Sequence, residues 1–372
     1  MRRIAAWFHR YLGLALGSLL LISGLTGSAI VFKMPIDAWL NPDLLLVTVQ
    51  QERVALDWIL NKVQQALPSE QAGVVFFPSA PTQALEIWFR GGDLRAYVDP
   101  YTGAVLGSRH TNDFLMGFLV DLHIHLLSGE TGEQLMGWSG LGAIVLSMLG
   151  LWLWWPKAGR WKQAFSVKWK AAPVRVWLDI HKMAGVIICA FLILTAATGS
   201  SLALYEIITE PTLIAITGEG TRRKPPTSRA ATAIAAPLAP MLSHATSLFP
   251  DGQITRVSLP TKPSAAVMVR MRLDGEIHQF GRTFVWFDQY DGTVLRVENA
   301  LQANRATRIQ SWLYPLHTGA YGGTFSRWLQ VVVGLSLSLL TLSGAWLWFK
   351  GYRAQAIAAE RQRASRMVHA ER

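Results

Sequence analysis

Two histidines stand at matching positions in two long apolar segments of the chain. His9 and His181 each open such a segment, and a glycine follows each four residues later, at Gly13 and Gly185. An offset of 172 residues maps the first segment onto the second, as far as a shared Thr-Gly-Ser. Two neutral imidazoles that face each other can bind a haem iron from both sides. The spacing therefore makes His9 and His181 candidate axial ligands of one haem.

A second histidine pair is related by a different offset. Shifting the chain by 194 residues maps His123 onto His317, and it also maps Gly150 onto Gly344. Zinc would need more ligands, and no cysteine or carboxylate repeats beside these histidines. We therefore expect His123 and His317 to bind a second haem iron. On a helix, His125 would point to nearly the opposite side from His123, which leaves it a supporting or spare residue.

The elements that must carry these histidines are membrane-length segments. The chain has 372 residues, of which 51% are hydrophobic and 16% charged, and this is too apolar for an ordinary soluble enzyme. Crossing a bilayer takes about 20 apolar residues. Four segments meet this length, at 12–32, 135–155, 184–205 and 328–349. The sequence predicts a membrane all-α four-helix transmembrane bundle, a tandem parallel repeat in which each half reads span, α+β insert, span.

The positive charge of the chain indicates its orientation in the membrane. The formal net charge is +11, and basic residues cluster before the first span, between the second and third, and after the fourth. The positive-inside rule places these three groups, and so both termini, on the cytoplasmic side of a bacterial inner membrane. The two inserts then face the periplasm. Nucleic acid is not an expected partner, because topology accounts for the basic residues.

Each insert has the pattern of a small α+β unit. Residues 55–67 have helical spacing, and VDPYTGAVL at 98–106 matches FDQYDGTVL at 287–295 with an offset of 189 residues. A segment rich in Pro, Thr, Ser and Ala at 218–240 predicts a linker. The predicted division of the chain is 1–33 N-terminus and first span, 34–121 first insert, 122–156 outer haem-ligand segment and second span, 157–180 basic cytoplasmic loop, 181–205 third span, 206–312 second insert, 313–350 outer haem-ligand segment and fourth span, and 351–372 cytoplasmic tail.

Charged and small residues beside the inner histidines fit a haem but also have plainer explanations. Arg10 and Lys182 follow His9 and His181 and could bind haem propionates through charge-assisted hydrogen bonds. Small residues continue along the same helix faces, which leaves room for a flat ring. However, small residues are also common where membrane helices pack, and arginine and lysine side chains extend to the lipid surface. A histidine at a membrane edge can also be a simple anchor, so the sequence leaves these alternatives open.

The other polar candidates carry no predicted chemistry. Four histidines without a repeat partner are expected at the solvated surface: His110, His244, His278 and His369. One predicted strand face carries Met268, Arg270 and Arg272, which could attract an anion. A solvated strand face is the simpler explanation, so no substrate-binding residue is assigned. Cys189 is the only cysteine, which excludes disulfides and covalent Cys-x-x-Cys-His haem attachment.

Five motifs give the chain a resemblance to a known family. They are HRYLGLALGSLLLISGLTG at the first span, DLHIHLLSGETG before the second, HKMAGV at the third, YPLHTGAYGG before the fourth, and YVDPYTGAVLG in the first insert. Over nearly its whole length the chain resembles the PepSY-associated transmembrane family, whose members include inner-membrane ferric-siderophore reductases. The resemblance implies PepSY-like periplasmic inserts and two haem b groups, the inner one on His9 and His181 and the outer one on His123 and His317. Gln289 stands where the first insert has proline, so the second insert departs from the pattern.

The expected function is transmembrane electron transfer through two b-type haems. An unidentified cytoplasmic or quinol electron donor would supply electrons that reduce a ferric siderophore or other ferric chelate in the periplasm and release Fe(II). The sequence has no Gly-x-Gly-x-x-Gly motif and no recognisable flavin or nicotinamide domain, so the donor is expected to be another molecule. Two alternatives remain: a non-redox PepSY-domain sensor or interaction protein that regulates a periplasmic partner, and a metal transporter. The transporter would need polar residues through the membrane centre, where the spans carry mainly Ser and Thr.

Overall fold

The structure, a computed structural model, describes residues 1–221, 224–229 and 234–370, with side chains of the last helix described as far as residue 362. The prediction for the side chain of His369 lies outside the described residues. So do part of the linker predicted at 218–240 and the last two residues of the tail predicted at 351–372.

The chain divides into two compact units, each described by itself. We call them the membrane unit, which comprises Met1–Val31, Leu122–Leu204 and the chain from Phe325, and the sheet unit, which comprises Phe32–Asp121 and Tyr205–Thr324. Within the described residues the helices are α1 (Arg2–Ile30), α2 (Lys33–Leu40), α3 (Pro42–Leu45), α4 (Leu56–Ala66), α5 (Leu115–His125), α6 (Gly129–Trp154), α7 (Trp161–Ala164), α8 (Pro173–Ala203), α9 (Glu210–Thr217), α10 (Leu238–Leu248), α11 (Arg305–Thr318) and α12 (Gly323–Ala370). The strands are β1 (Ala72–Phe76), β2 (Leu85–Phe89), β3 (Arg95–Val98), β4 (Val105–Arg109), β5 (Gln253–Ser258), β6 (Val267–Arg272), β7 (Thr283–Phe287) and β8 (Val294–Glu298). Short 3₁₀ turns lie at Thr111–Asp113, Ala300–Gln302 and Ala320–Gly322, and a π-helical turn lies at Tyr205–Thr209.

Four helical segments of the described chain are long and apolar enough to cross a membrane, which confirms the predicted number of spans. They are Arg2–Ile30, Gly129–Trp154, Pro173–Ala203 and Ala320–Gln362. Helix α12 continues to Ala370, through most of the segment predicted as a tail. Its extension is rich in Ala, Glu, Arg and Gln, which are strong helix formers.

Small residues let the membrane helices approach closely. A Cβ added at Gly24 of α1 would lie 2.5 Å from a backbone carbonyl oxygen of α12, so this crossing requires glycine. Ser28 donates to the Val331 carbonyl oxygen across the same interface, at 3.1 Å. The crossing of α6 and α8 has the same type of contact, because Ser200 donates to the Gly137 carbonyl oxygen at 2.8 Å. Gly24 is one of the small residues on the His9 side of α1, and it lies against α12 in a helix-packing contact.

The two inserts join in one antiparallel sheet of eight strands, in the order β4-β3-β2-β1-β5-β6-β7-β8. Each insert supplies four neighbouring strands, and the two sets meet where Val75 of β1 pairs with Val257 of β5. The sequence predicted two α+β inserts, and it did not indicate this shared sheet. Pairing β1 with β5 covers two strand edges that separate four-stranded sheets would leave open.

One face of the sheet packs against α4 and α10 and forms the main core. Leu56, Ile59 and Val63 lie on one side of α4 at helical spacing and are buried, as the apolar pattern of residues 55–67 predicted. The Asp57 carboxylate accepts hydrogen bonds at 2.8 and 2.9 Å from the first backbone N–H groups of α10. It thereby caps α10 and ties the helices of the two inserts together.

The two matched insert motifs form the same kind of turn. Asp99 accepts from the backbone N–H of Tyr101 at 2.8 Å, and Asp288 accepts from the backbone N–H of Tyr290 at 2.9 Å. Each turn ends in a glycine with positive φ, as the turn geometry requires. The turns join β3 to β4 and β7 to β8.

Candidate functional site

His9 of α1 and His181 of α8 come together inside the membrane unit. Their ring centres are 6.3 Å apart, and the ring planes cross at 84°. Two imidazoles that bind one iron from opposite sides have ring centres about 6 Å apart, since each metal–nitrogen bond is about 2 Å and each ring centre lies about 1 Å further. The spacing of this pair therefore matches bis-histidine ligation.

The hydrogen bond of His9 determines which ring nitrogen can bind a metal. Nδ1 of His9 lies 3.1 Å from the Leu146 carbonyl oxygen of α6. A carbonyl oxygen only accepts, so Nδ1 carries the proton and donates. The lone pair of the neutral ring is then on Nε2. Metal-bound histidines commonly use the second ring nitrogen in this way, because the bond fixes both tautomer and orientation.

His181 reaches the same state through a serine. Its Nδ1 lies 2.8 Å from the Ser343 hydroxyl oxygen, and that hydroxyl donates to the Leu340 carbonyl oxygen at 3.2 Å. Because a serine hydroxyl has one proton, Ser343 accepts from His181, which leaves the His181 lone pair on Nε2. The offset of 194 residues maps Leu146 onto Leu340, so both imidazoles are tied to corresponding carbonyl groups.

Two glycines leave room for the imidazole rings of His9 and His181 beside the neighbouring helices. A Cβ added at Gly150 would lie 3.2 Å from Cε1 of His9, and one added at Gly344 would lie 3.4 Å from Cε1 of His181. Larger side chains would push either ring away. The repeat that relates Gly150 to Gly344 is visible in the sequence, but their contact with the inner histidines is not.

The imidazole pair lines a cavity of about 450 Å³ within the membrane unit. Small-molecule and cofactor sites are typically about 300–1,000 Å³. The other predicted inner-site residues line the same cavity: Arg10, Gly13, Lys182 and Gly185. A Cβ at Gly13 or Gly185 would meet a leucine methyl at an ordinary 3.8 or 3.6 Å, so these glycines add space without being strictly required. Spacing, tautomers and cavity together fit a haem between His9 and His181.

His123 of α5 is held in the membrane unit by α1. Its Nδ1 lies 3.0 Å from the Thr26 hydroxyl oxygen, and this hydroxyl donates to the Ile22 carbonyl oxygen at 2.6 Å. Thr26 therefore accepts from His123, whose lone pair is left on Nε2, as in the inner pair. A Cβ added at Gly27 would lie 2.9 Å from Cε1 of His123, so the ring rests directly on the α1 backbone.

The predicted outer pair is divided between the two units. His317 lies in α11 of the sheet unit, and His123 belongs to the membrane unit. Their pairing on one iron stays a prediction. His125 ends α5 and precedes Leu126 and Leu127, two consecutive residues with positive φ of 49° and 57° that redirect the chain into α6.

Within the described residues, three or more His, Cys, Asp or Glu side chains do not gather into a metal-ion site. The imidazole pair is a different arrangement, with two nitrogens and a ring-sized cavity. The sequence missed the supporting residues Ser343 and Thr26. Thr26 belongs to the repeated Thr-Gly-Ser motif, which could have indicated it, whereas Ser343 has no such signal.

The predictions for the other histidines have mixed outcomes. His110 and His244 are exposed as expected. The surface prediction is wrong for His278, which is 8% exposed and stacks on Tyr314 with ring centres 5.3 Å apart. Burial and two nearby arginines lower the pKa of His278 to about 3, so its ring is neutral at pH 7. Tyr314 of α11 and Arg270 of β6 contact this ring, and nothing local in the sequence indicates these contacts.

Comparison with known proteins identifies the family of the chain. A search of curated proteins finds no match. A family model described as the PepSY-associated TM region matches residues 6–350, which include the four histidines of the two predicted pairs and both inserts. The protein therefore belongs to the PepSY-associated TM region family.

Proposed function

We propose that this protein is a membrane electron carrier that binds two haem b groups and reduces ferric chelates, such as ferric siderophores, in the periplasm. The observation that carries the proposal is the pair of neutral imidazoles with ring centres 6.3 Å apart. The Nδ1 atoms of both rings are hydrogen-bonded, which leaves the Nε2 atom of each ring to bind a haem iron. Two axial histidines make haem iron six-coordinate, and this coordination suits electron transfer better than oxygen binding.

In this proposal the chain's own residues bind and orient the inner haem. His9 and His181 would hold the haem iron, and Arg10 and Lys182 would bind the propionates through charge-assisted hydrogen bonds. The Ser343 hydroxyl keeps the His181 ring in its binding tautomer. Haem, when bound, supplies one-electron redox chemistry at its iron. Aliphatic side chains, among them Leu14, Leu192 and Leu340, form much of the cavity lining.

We further propose that the chain arose by tandem duplication and that His123 and His317 hold the outer haem. The hydrogen bonds of Ser28 and Ser200 support the duplication, because they are alike at positions related by the 172-residue offset. In each insert, one helix that packs on the sheet, α4 or α10, is followed directly by four antiparallel strands, which suits two PepSY-like units. The tautomer that Thr26 imposes on His123 supports a role as ligand.

The proposed topology places both termini in the cytoplasm of a bacterial inner membrane and the sheet unit in the periplasm. An electron donor in the cytoplasm or a membrane quinol would then act at the inner site. Ferric iron is the harder cation and prefers the oxygen ligands of siderophores. Its reduction to Fe(II) weakens this binding and releases the metal.

A two-step experiment on the full chain in detergent tests the proposal. The dithionite-reduced protein should show b-type absorption bands at two haems per chain. After removal of excess dithionite under anaerobic conditions, ferric siderophores should reoxidise it. Colourless protein would overturn haem binding. Haem-loaded protein that no ferric chelate reoxidises faster than buffer would overturn the reductase step alone.

A matched pair of glycine variants tests the outer site. In Gly27→Ala the new methyl group would meet Cε1 of His123 at 2.9 Å and displace the ring. In Gly17→Ala, on the same helix, the methyl group would make an ordinary 3.6 Å contact with Thr341. We expect haem content to fall from two to one per chain in Gly27→Ala and to stay at two in Gly17→Ala. Two haems in Gly27→Ala would contradict the role of His123.

A further inference from the structure

Two arginines face each other on the sheet surface opposite the main core. Arg256 of β5 pairs directly with Arg270 of β6 in the strand register. Directly opposed side chains have Cβ atoms about 5 Å apart, and like charges at this spacing repel each other. Arg282 adds a third positive charge to the electrostatic surroundings of Arg270. We call these three residues the arginine cluster.

The positive charge of the arginine cluster is poorly compensated by the protein. Glu276 is the carboxylate that acts on Arg270 and Arg282. Its oxygens already accept from the backbone N–H groups of Leu273 and Arg282 and from the Thr283 hydroxyl. Glu276 therefore offsets the charge of Arg270 and Arg282, whereas burial alone accounts for the lowered pKa of Arg256.

Burial makes this imbalance costly. Burial, followed by the charges of Arg256 and Arg282, lowers the pKa of Arg270 to about 9. Nε of Arg256 and Nε of Arg282 are among several buried arginine nitrogens of the described residues that have no hydrogen-bond partner. Buried guanidinium groups are normally paired, because desolvated charge without a partner is strongly unfavourable. The cluster has the charge and the open donors of a site for an anion.

The arginine cluster lies beside the helix that carries His317. Gln310, Tyr314 and His317 are spaced four and three residues apart, so they share one face of α11. Arg282 donates to the side-chain oxygen of Gln310. Arg270 donates to Nδ1 of His278 at 3.3 Å, and the His278 ring stacks on Tyr314. One helical turn, about 5 Å, separates Tyr314 from His317.

We propose that Arg256, Arg270 and Arg282 form an oxyanion site that binds the propionate carboxylates of the haem on His317. The inference rests on the proposed function, since it requires the outer haem. A resident anion explains the cluster better than a transient one, because the desolvation cost applies whenever the protein is folded. Two carboxylates on a group bound one helical turn away supply the missing negative charge.

The test is the midpoint potential of the outer haem in the full chain. A positive charge near haem iron disfavours the ferric form, so its removal lowers the potential. The His181→Ala background removes the inner haem, so that the remaining signal belongs to the outer one. We expect Arg256→Gln and Arg270→Gln to lower the potential in this background. Arg256→Lys, which keeps the charge, should stay near the parent value.

The matched control is Arg272→Gln, on the same strand as Arg270 but exposed to solvent. Solvent screens its charge, so we expect little change in potential. Equal potentials in Arg256→Gln, Arg270→Gln and the control would overturn the inference. A second outcome would also overturn it: the glutamine variants keep the parent potential but have a raised KM for anionic ferric citrate and an unchanged KM for a neutral ferric hydroxamate. That result would assign the cluster to substrate binding. Haem-free parent protein would instead reject the proposed function itself.

Discussion

The membrane unit and the sheet unit bury polar side chains in different ways. In the membrane unit, the hydroxyls of Thr26 and Ser343 each accept from an imidazole and donate to a helix carbonyl. In the sheet unit, Asp37 and Arg109 form a two-pronged ion pair although they are only 9% and 8% exposed. Neutral partners keep an imidazole neutral and able to bind a metal, whereas the ion pair fixes the geometry of the backbone around it.

The ion pair of the sheet unit belongs to a fully engaged polar group. Arg109 at the end of β4 donates to the Asp37 carboxylate of α2 at 3.1 and 2.5 Å. It also donates to the Tyr97 hydroxyl at 3.1 and 2.9 Å, and its guanidinium lies 3.5 Å from the Phe114 ring centre. Burial raises the pKa of Tyr97 to about 12, so the hydroxyl remains protonated. This group holds α2 against the edge strand of the sheet.

The largest expected effect concerns the neutral imidazoles. His181→Ala should reduce haem content from two to one per chain, because a single axial histidine remains at the inner site. His125→Ala is the control and should keep both haems, since the 194-residue offset maps His125 onto Gly319 and not onto a histidine. Pyridine haemochrome analysis with protein quantification measures the ratio. Two tightly bound haems in the His181→Ala protein would contradict the role of His181 as a haem ligand.

Loss of the ion pair between Asp37 and Arg109 should lower the stability of the protein. Arg109→Met leaves the Asp37 carboxylate buried without its arginine partner, which should lower the free energy of unfolding by about 3–5 kcal/mol. The double variant Asp37→Leu/Arg109→Met should recover much of the loss, because no buried charge remains. Denaturant unfolding of the full chain, followed by tryptophan fluorescence, measures both. Equal stability of Arg109→Met and the parent would show that water reaches the pair.

A smaller effect on haem binding is expected from a change at Ser343, which fixes the tautomer of His181. Ser343→Ala removes the acceptor for Nδ1 of His181, and loss of such a supporting bond typically weakens metal binding about 10- to 100-fold. Ser338→Ala is the control, because Ser338 is a buried serine on the same helix that bonds to the Gly334 carbonyl oxygen. Haem transfer to apomyoglobin measures the difference. Identical transfer rates for the two variants would exclude a role of Ser343 in ligation.

The smallest effect belongs to an exposed pair of the sheet unit. His110 and Asp93 lie 2.8 Å apart, and their hydrogen bond raises the pKa of His110 above 6.5 and lowers that of Asp93 below 3.8. The contribution to stability is complete between pH 3.8 and 6.5. It is lost as pH rises through the folded-state pKa of His110, and again as pH falls through that of Asp93. His110→Gln should flatten this profile slightly in thermal unfolding, and an unchanged profile would contradict the pairing.

The sequence was sufficient for the spans and for the inner pair because both depend on local patterns. Apolar length predicts a span by itself, and the repeat placed His9 and His181 at corresponding positions. The partners of these histidines were not predictable. Leu146 contributes a backbone carbonyl, which has no side-chain signature, and Ser343 lies 162 residues from His181. The prediction for His278 was wrong for a related reason, because Tyr314, which stacks on its ring, lies 36 residues away in the sequence.

The pairing of β1 with β5 has a consequence for how the protein is made. Val257 is synthesised long after Val75, and the second and third spans lie between them in the chain. Until β5 emerges, β1 presents an unpaired strand edge, the kind of surface on which foreign strands add and aggregates begin. During synthesis the first insert is therefore prone to aggregation until the second insert has been made and β5 pairs with β1. A chain terminated after α6 would keep the edge of β1 unpaired permanently and would be a target for quality-control proteases.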